Sequence, residues 1–187
     1  MTALVVLAVL LLVIVVPLAL AGTALYNGLV RKRGAVDNAW AQTDVQLKRR
    51  HDLIPNLVET VKGYATHERQ TLDAVVAARS QALTAQGPQQ QAAAEGVLSG
   101  ALKGLLALAE AYPDLKASQN FSELQAELST TENRIAYSRQ YYNDAVLTYN
   151  NAIQTVPANL VAGVAGFTAR EYFQAPDEER GPVQVRF

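Results

Sequence analysis

The N-terminal stretch constrains this chain most, because it carries no charged side chain from Thr2 to Val30. Its apolar run, TALVVLAVLLLVIVVPLALAGTAL, is long enough to cross about 30 Å of hydrocarbon at about 1.5 Å per helical residue. The stretch therefore predicts a transmembrane helix. Lipid-embedded helices tolerate a proline when the freed carbonyl finds another partner, so Pro17 is compatible with the span and predicts a kink near Val13.

A secretory signal peptide is the alternative interpretation of the same stretch. Ala19-Leu20-Ala21 is similar to the small-residue sites at which signal peptides are cleaved. However, no basic residue precedes the apolar run, and the run is longer than the apolar region of a usual signal peptide. These two features favour a retained anchor.

Basic residues flank the apolar stretch on one side only. Arg31, Lys32 and Arg33 follow it directly, whereas only Met1 and Thr2 lie on the other side. Cytoplasmic flanks of transmembrane helices carry the excess of Lys and Arg. The sequence thus predicts a single-pass membrane protein with a short N-terminus outside and its body in the cytoplasm. The three basic residues are predicted to flank the membrane and to contact its lipid headgroups.

Beyond Gly34, apolar residues recur at helical spacing, and no useful strand-like alternation appears before the C-terminal tail. Pro55 is expected to end or bend the first soluble helix, with a second helix carrying Leu57 to Leu83. One long helix is predicted from Ser122 to Gln154. Its inward row consists of Leu124, Leu128, Thr131, Ile135, Ser138, Tyr142, Val146, Tyr149 and Ile153. The predicted fold is all-α, an N-terminal transmembrane helix continuing into a long antiparallel helical bundle.

Three regions follow from these patterns: a transmembrane anchor with its flank at residues 1–30, a helical bundle at 31–170 and a C-terminal tail at 171–187. The stretch Gln89 to Ala94 begins a third helix or stays irregular. Gly96, Gly100 and Gly104 share the spacing of membrane helix-dimer motifs, but the apolar stretch around them is short and contains Lys103. Packing between soluble helices is therefore favoured there.

The C-terminal tail has two possible arrangements. It either packs onto the bundle or extends freely into solvent.

Enzyme motifs are missing from the sequence. Without cysteine, thiolate catalysis, disulfides and Cys-ligated metal centres are excluded. His67-Glu68 begins like the H-E-x-x-H zinc motif, but Thr71 stands where the second histidine is required. No glycine-rich phosphate loop or nucleophile elbow is present. With a net charge of −1, no field favours nucleic acid. We therefore expect no enzymatic activity, no cofactor, no metal and no nucleic-acid partner.

Polar residues within the helical rows have two interpretations that the sequence leaves open. They either pair across helices as a buried network that fixes register, or form a surface for a partner or another copy of the chain. The residues concerned are Arg49, Arg50, Asp52, Asn56, Glu59, His67, Glu68, Arg134, Arg139 and Asn143.

Several segments together resemble the LemA family of bacterial membrane proteins. They are YNGLV from Tyr26, DVQLKRRHDLIPNLVETVKGYATHE from Asp44, YPDLKASQNF from Tyr112, TENRIAYSRQYYNDAV from Thr131, YNNAIQTVP from Tyr149 and REYF from Arg170. The resemblance implies a single-pass anchor in the inner membrane with a very short outer segment and a cytoplasmic helical bundle. It implies little chemistry, because the family has no established activity. A relative serves in magnetosome membranes, which suggests work on membrane organisation.

The expected function is therefore that of a non-enzymatic, membrane-anchored scaffold that self-associates through its bundle at the inner membrane. The alternative is an adaptor or regulator of another membrane protein, such as a protease or a signalling protein. The expected partners are membrane lipid through the N-terminal helix, further copies of the chain in a homo-oligomer and, for the alternative, a second membrane protein.

Overall fold

The computed structural model describes residues 1–174 of the chain. The helices are α1 (Thr2–Tyr64), α2 (Arg69–Thr84), α3 (Gly87–Ala109), α4 (Pro113–Lys116), α5 (Gln119–Gln154) and α6 (Ala158–Ala165). No strand occurs in the described part, which confirms the predicted all-α fold. The described residues divide into two compact units, Met1–Ala39 with Asp144–Arg170, and Trp40–Asn143 with residues 171–174. Two of the three boundaries fall inside helices, α1 and α5, and the third lies after α6.

Two helices, α1 and α3, are long and apolar enough to cross a membrane by length and composition. The most apolar window of α1 is 0% buried, and its large apolar side chains are exposed from Leu4 to Leu20. The corresponding window of α3 is 39% buried, and Leu98, Leu102 and Leu105 belong to a hydrophobic core. The predicted apolar N-terminal helix is thus present, and α3 packs as a core helix.

In the first unit, a segment after α6 is bound to α1 and α5. Gly166 ends α6 in the left-handed region at φ 71°, which glycine adopts without a steric penalty. The ring of Phe167 then lies 5.6 Å from that of Tyr26, centroid to centroid. Farther along, the side-chain amide of Asn150 donates to the carbonyl of Arg170 and accepts from its backbone N–H, both at 2.9 Å. Arg170 also forms an ion pair with Asp37 at 2.8 Å.

In the second unit, α1 and α5 run antiparallel. Their contacts descend along α5 as they ascend along α1: Trp40 packs on Tyr142, and Arg49 pairs with Glu127. Helices α2 and α3 form a hairpin against them, joined by a hydrogen bond from the Gln91 amide to the carbonyl of Ala82. The main core residues are Ile54, Leu57, Val61, Leu72, Val75, Leu98, Leu102, Leu105, Leu115, Phe121 and Leu128.

The predicted inward row of α5 is confirmed, since its members are buried or half-buried from Leu124 to Ile153. The helix begins at Gln119, three residues before the predicted start at Ser122, and ends at Gln154 as predicted. The structure describes only the first part of the C-terminal tail. Phe173 is buried and packs against Trp40, with ring centroids 5.9 Å apart. The rest of the tail, from residue 175, lies outside the described residues.

The sequence predicted an end or a bend of the helix at Pro55, and of these two the helix end is wrong. Helix α1 passes through Pro55 and ends at Tyr64, and the chain turns at Ala65–Glu68 instead. A proline inside a helix leaves the carbonyl four residues before it without its helical N–H donor. That carbonyl belongs to His51, and Nε of Arg79 on α2 donates to it at 2.7 Å. A side chain from another helix thus replaces the missing donor.

Candidate functional site

A buried cluster of polar side chains lies between α1, α3 and α5 in the second unit. Arg50 stands on the apolar face of α1 between Leu47 and Ile54, and is only 1% exposed. It forms an ion pair with Glu95 of α3, which is 5% exposed. A charge buried this deeply is tolerated only when it is paired and hydrogen-bonded, so each residue requires the other.

The guanidinium of Arg50 links three helices. Its Nη1 donates to Oε1 of Glu132 on α5 at 2.7 Å and to the hydroxyl of Ser99 on α3 at 3.1 Å. Its Nη2 also donates to the backbone carbonyl of Glu95 at 3.4 Å. Because the planar guanidinium presents its donors in a fixed fork, these contacts set the register of the helices against one another. We call Arg50, His51, Glu95, Ser99 and Glu132 the Arg50 cluster.

His51 completes the cluster beside Arg50. Its Nε2 lies 2.8 Å from Oε1 of Glu95, an oxygen that also accepts from the Gln91 amide at 2.7 Å. Burial, together with the positive charges of Arg50 and Arg79, lowers the pKa of His51 from 6.5 to about 4. The imidazole is therefore neutral at physiological pH, and Nε2–H donates to Glu95.

A cleft of about 530 Å³ opens above the cluster between α3 and α5. Its lining includes Arg50 and Glu132, the exposed cations Lys103 and Arg139, and Phe173. Within the described part of the chain, no three His, Asp or Glu side chains meet in a group that could hold a metal ion. Both carboxylates that line the cleft are already held by Arg50.

Asn143, a predicted site residue, binds the backbone beyond Glu171. Its amide donates to the carbonyl of Phe173 at 3.0 Å and its oxygen accepts from the Phe173 N–H at 2.9 Å. The preceding Tyr142 donates its hydroxyl to the carbonyl of Glu171 at 2.7 Å. The first unit contains the same arrangement with Asn150, seven residues later on α5. There, Tyr149 donates its hydroxyl to the carbonyl of Thr168 at 2.9 Å. A Tyr-Asn pair of α5 thus binds the backbone after α6 in each unit.

Other predicted site residues make separate contacts. Glu68 accepts from the hydroxyl of Tyr112 at 3.3 Å, Arg49 pairs with Glu127, and Glu59 lies 3.5 Å from Lys62. The guanidinium of Arg33 lies over the ring of Phe167, 5.2 Å from its centroid. The remaining residues are exposed, and no hydrogen bond or ion pair joins their side chains to another described residue. They are Arg31, Lys32, Asp52, Asn56, His67, Arg134 and Arg139.

Neither Glu95 nor His51 was singled out from the sequence. Glu95 lies in an Ala- and Gly-rich stretch, whose composition is typical of a solvent-exposed segment without specific contacts. One signal was present: Glu95 precedes Leu98 by three residues and Leu102 by seven, which places it on the same helix face as these leucines. A carboxylate on an apolar face predicts a buried partner.

The chain is similar in sequence to several known proteins. The LemA family profile matches residues 39–187. Protein LemA of Metamycoplasma hominis is 28% identical over 163 residues, which cover 85% of this chain and 73% of that protein. Magnetosome protein MamQ 2 of Paramagnetospirillum magneticum is 36% identical over 90 residues, and magnetosome protein MamQ of Magnetospirillum gryphiswaldense is 32% identical over 90 residues. Those matches cover 48% of this chain and 33% of each magnetosome protein. The chain belongs to the LemA family.

Proposed function

We propose that this protein is a non-enzymatic, membrane-anchored structural protein that self-associates through its helical bundle and organises the inner membrane. The observation that carries the proposal is the continuity of α1. One helix begins in an apolar, exposed segment and continues without a break to Arg50, whose contacts fasten it to α3 and α5. The apolar segment and Arg50 thus belong to one helix, so the element that would anchor the chain also packs into the bundle.

The chemistry of the Arg50 cluster supports a structural role. Arg50 forms ion pairs with both carboxylates, Glu95 and Glu132, and the imidazole of His51 hydrogen-bonds to Glu95. Groups held in this way lock helices together and are poorly placed to attack or protonate a substrate. A buried network of this kind specifies one arrangement of helices.

The flank of the apolar segment supports an orientation with the bundle in the cytoplasm. Arg31, Lys32 and Arg33 are exposed, as residues that contact anionic headgroups need to be. The matches to magnetosome proteins add support for work at a membrane.

Crosslinking of the full-length chain in its native membrane, followed by gentle solubilisation and mass measurement, tests the proposal. A defined assembly that contains only copies of this chain is the expected result. A chain that stays monomeric both in membranes and in mild detergent would contradict self-association.

A second function, that of an adaptor or regulator of another membrane protein, is favoured by the cleft above the Arg50 cluster. Lys103 and Arg139 line it with exposed positive charge that a segment of another protein could pair with. In the same crosslinking experiment this function predicts a foreign membrane protein in fixed ratio to the chain. It further predicts that this protein is lost when Lys103 and Arg139 are both changed to glutamate, with the helical content unchanged.

A further inference from the structure

A groove on the α1–α5 face of the second unit leaves large apolar side chains in contact with solvent. Tyr137 and Tyr141 of α5 form one wall and Val45 of α1 the other, around a volume of about 430 Å³. Tyr137 is 75% exposed, Val45 61% and Tyr141 53%. Tyrosine is enriched in the buried centres of protein interfaces, because its ring supplies apolar area and its hydroxyl a hydrogen bond. We call this surface the tyrosine groove.

Charges around the groove make it complementary to itself. Arg134 lines it on α5, and Asp52 lies on the same face of α1 as Val45, two helical turns farther on. Both side chains are exposed, and neither has an ion-pair partner among the described residues. In a two-fold contact the same patch meets itself, so each pair forms twice. Arg134 of one copy would then meet Asp52 of the other, and the reverse.

We infer that the tyrosine groove is the surface through which two copies of this chain associate. The inference rests on the proposed self-association and names the surface that performs it. A single charge pattern that satisfies itself favours a second copy over an unrelated protein, which would need a separate complementary surface.

The groove is small, so association through it depends on the membrane anchor. Its three exposed apolar side chains offer about 400 Å² per copy, whereas a stable soluble complex buries roughly 800 Å² per partner. Copies anchored in one membrane already share a plane, which raises their effective concentration and allows a small contact to suffice. We therefore expect two copies to associate when both are anchored in the membrane.

Single-cysteine crosslinking tests the surface in the full-length chain, which contains no cysteine of its own. Val45→Cys and Tyr137→Cys are treated with a short bismaleimide in native membranes. Val76→Cys on α2 is the matched control, because Val76 is also exposed, at 49%, and lies outside the groove. We expect at least tenfold more crosslinked dimer from each groove position than from the control. Equal yields would overturn the inference.

Charge reversal in the Val45→Cys chain is the second test of the surface. Arg134→Asp and Asp52→Arg should each lower the dimer yield at least fivefold, and the two together should restore it. Arg139→Asp is the control, since Arg139 is an exposed arginine of α5 that lines the cleft instead of the groove. Failure of the double change to restore the yield would contradict the assigned charge pairing.

Mass measurement of the complex separates failure of the inference from failure of the proposed function. A homo-oligomer that does not crosslink through the groove overturns the inference and leaves self-association standing. A chain that stays monomeric by mass after crosslinking in its native membrane overturns both. A foreign protein crosslinked at Val45→Cys also overturns the inference and favours the adaptor.

Discussion

Arg50 shows how one buried side chain can determine the arrangement of a helical bundle. Its guanidinium contacts Glu95, Ser99 and Glu132 on two other helices, and it is almost fully removed from solvent. Removing one partner of such a pair costs about 3–5 kcal/mol, because the other charge stays buried and uncompensated. Replacing the whole network with apolar residues costs far less. The network therefore contributes specificity of packing more than net stability.

His51 makes the stability of the second unit depend on pH. Its pKa is lowered from 6.5 to about 4 by burial and by the charges of Arg50 and Arg79. Between these two pH values the unfolded chain takes up a proton that the folded chain does not bind. The free energy of unfolding should therefore fall as pH drops from 6.5 to 4, by up to about 3 kcal/mol.

Chemical unfolding of the detergent-solubilised chain, followed by fluorescence of its single tryptophan, Trp40, measures this dependence. The His51→Gln variant keeps a side-chain donor but does not titrate, so subtracting its profile removes the contribution of the carboxylates. Superimposable profiles for the two chains would show that His51 does not titrate differently on folding.

Single residues differ in how far the sequence predicted them. Arg50 lies in the apolar row of α1, so a buried network was among its predicted roles. Glu95 was missed because its neighbours are alanine and glycine. A single carboxylate contributes little to a pattern of apolar residues, so the helical periodicity did not single it out. The pairing of Arg50 with Glu95 requires knowledge of which helices adjoin, and helical periodicity contains no such information.

Helix α1 shows that a helix can pass through a proline when another helix provides the missing donor. The row of α5 was predictable because its buried positions follow a regular spacing from Leu124 to Ile153. The continuity of α1 was not, because the donor comes from Arg79, on a helix beyond the next turn. Local rules predicted a break at Pro55, and tertiary contact overrode them.

A double-mutant cycle tests this account of α1. Arg79→Met should destabilise the chain by about 1–3 kcal/mol, because the carbonyl of His51 loses its donor. In a Pro55→Ala background the restored backbone N–H can serve that carbonyl, so Arg79→Met should cost much less there. Unfolding free energies of the four chains give the coupling. Equal costs of Arg79→Met in both backgrounds would show that Arg79 does not substitute for the missing amide.

The charge distribution of the whole molecule bears on its placement in the membrane. The chain is nearly neutral, with 16 Lys and Arg against 17 Asp and Glu, yet residues 31–33 concentrate three basic side chains beside the exposed apolar segment. Orientation depends on such local excess more than on net charge. The same composition spread evenly along the chain would provide no directional signal.

Orientation is therefore expected to depend on residues 31–33 and not on total charge. A single cysteine introduced by Ser80→Cys, on the exposed face of α2, should react with a membrane-impermeant maleimide only after the inner membrane is permeabilised. Changing all three residues at 31–33 to Gln removes the basic flank, and a substantial fraction of chains should then be labelled in intact spheroplasts. The same loss of charge at Lys62, Lys103 and Arg139, which are distant from the apolar segment in the sequence, should leave labelling unchanged. Full labelling of the unaltered chain in intact spheroplasts would place the bundle outside and reverse the proposed orientation.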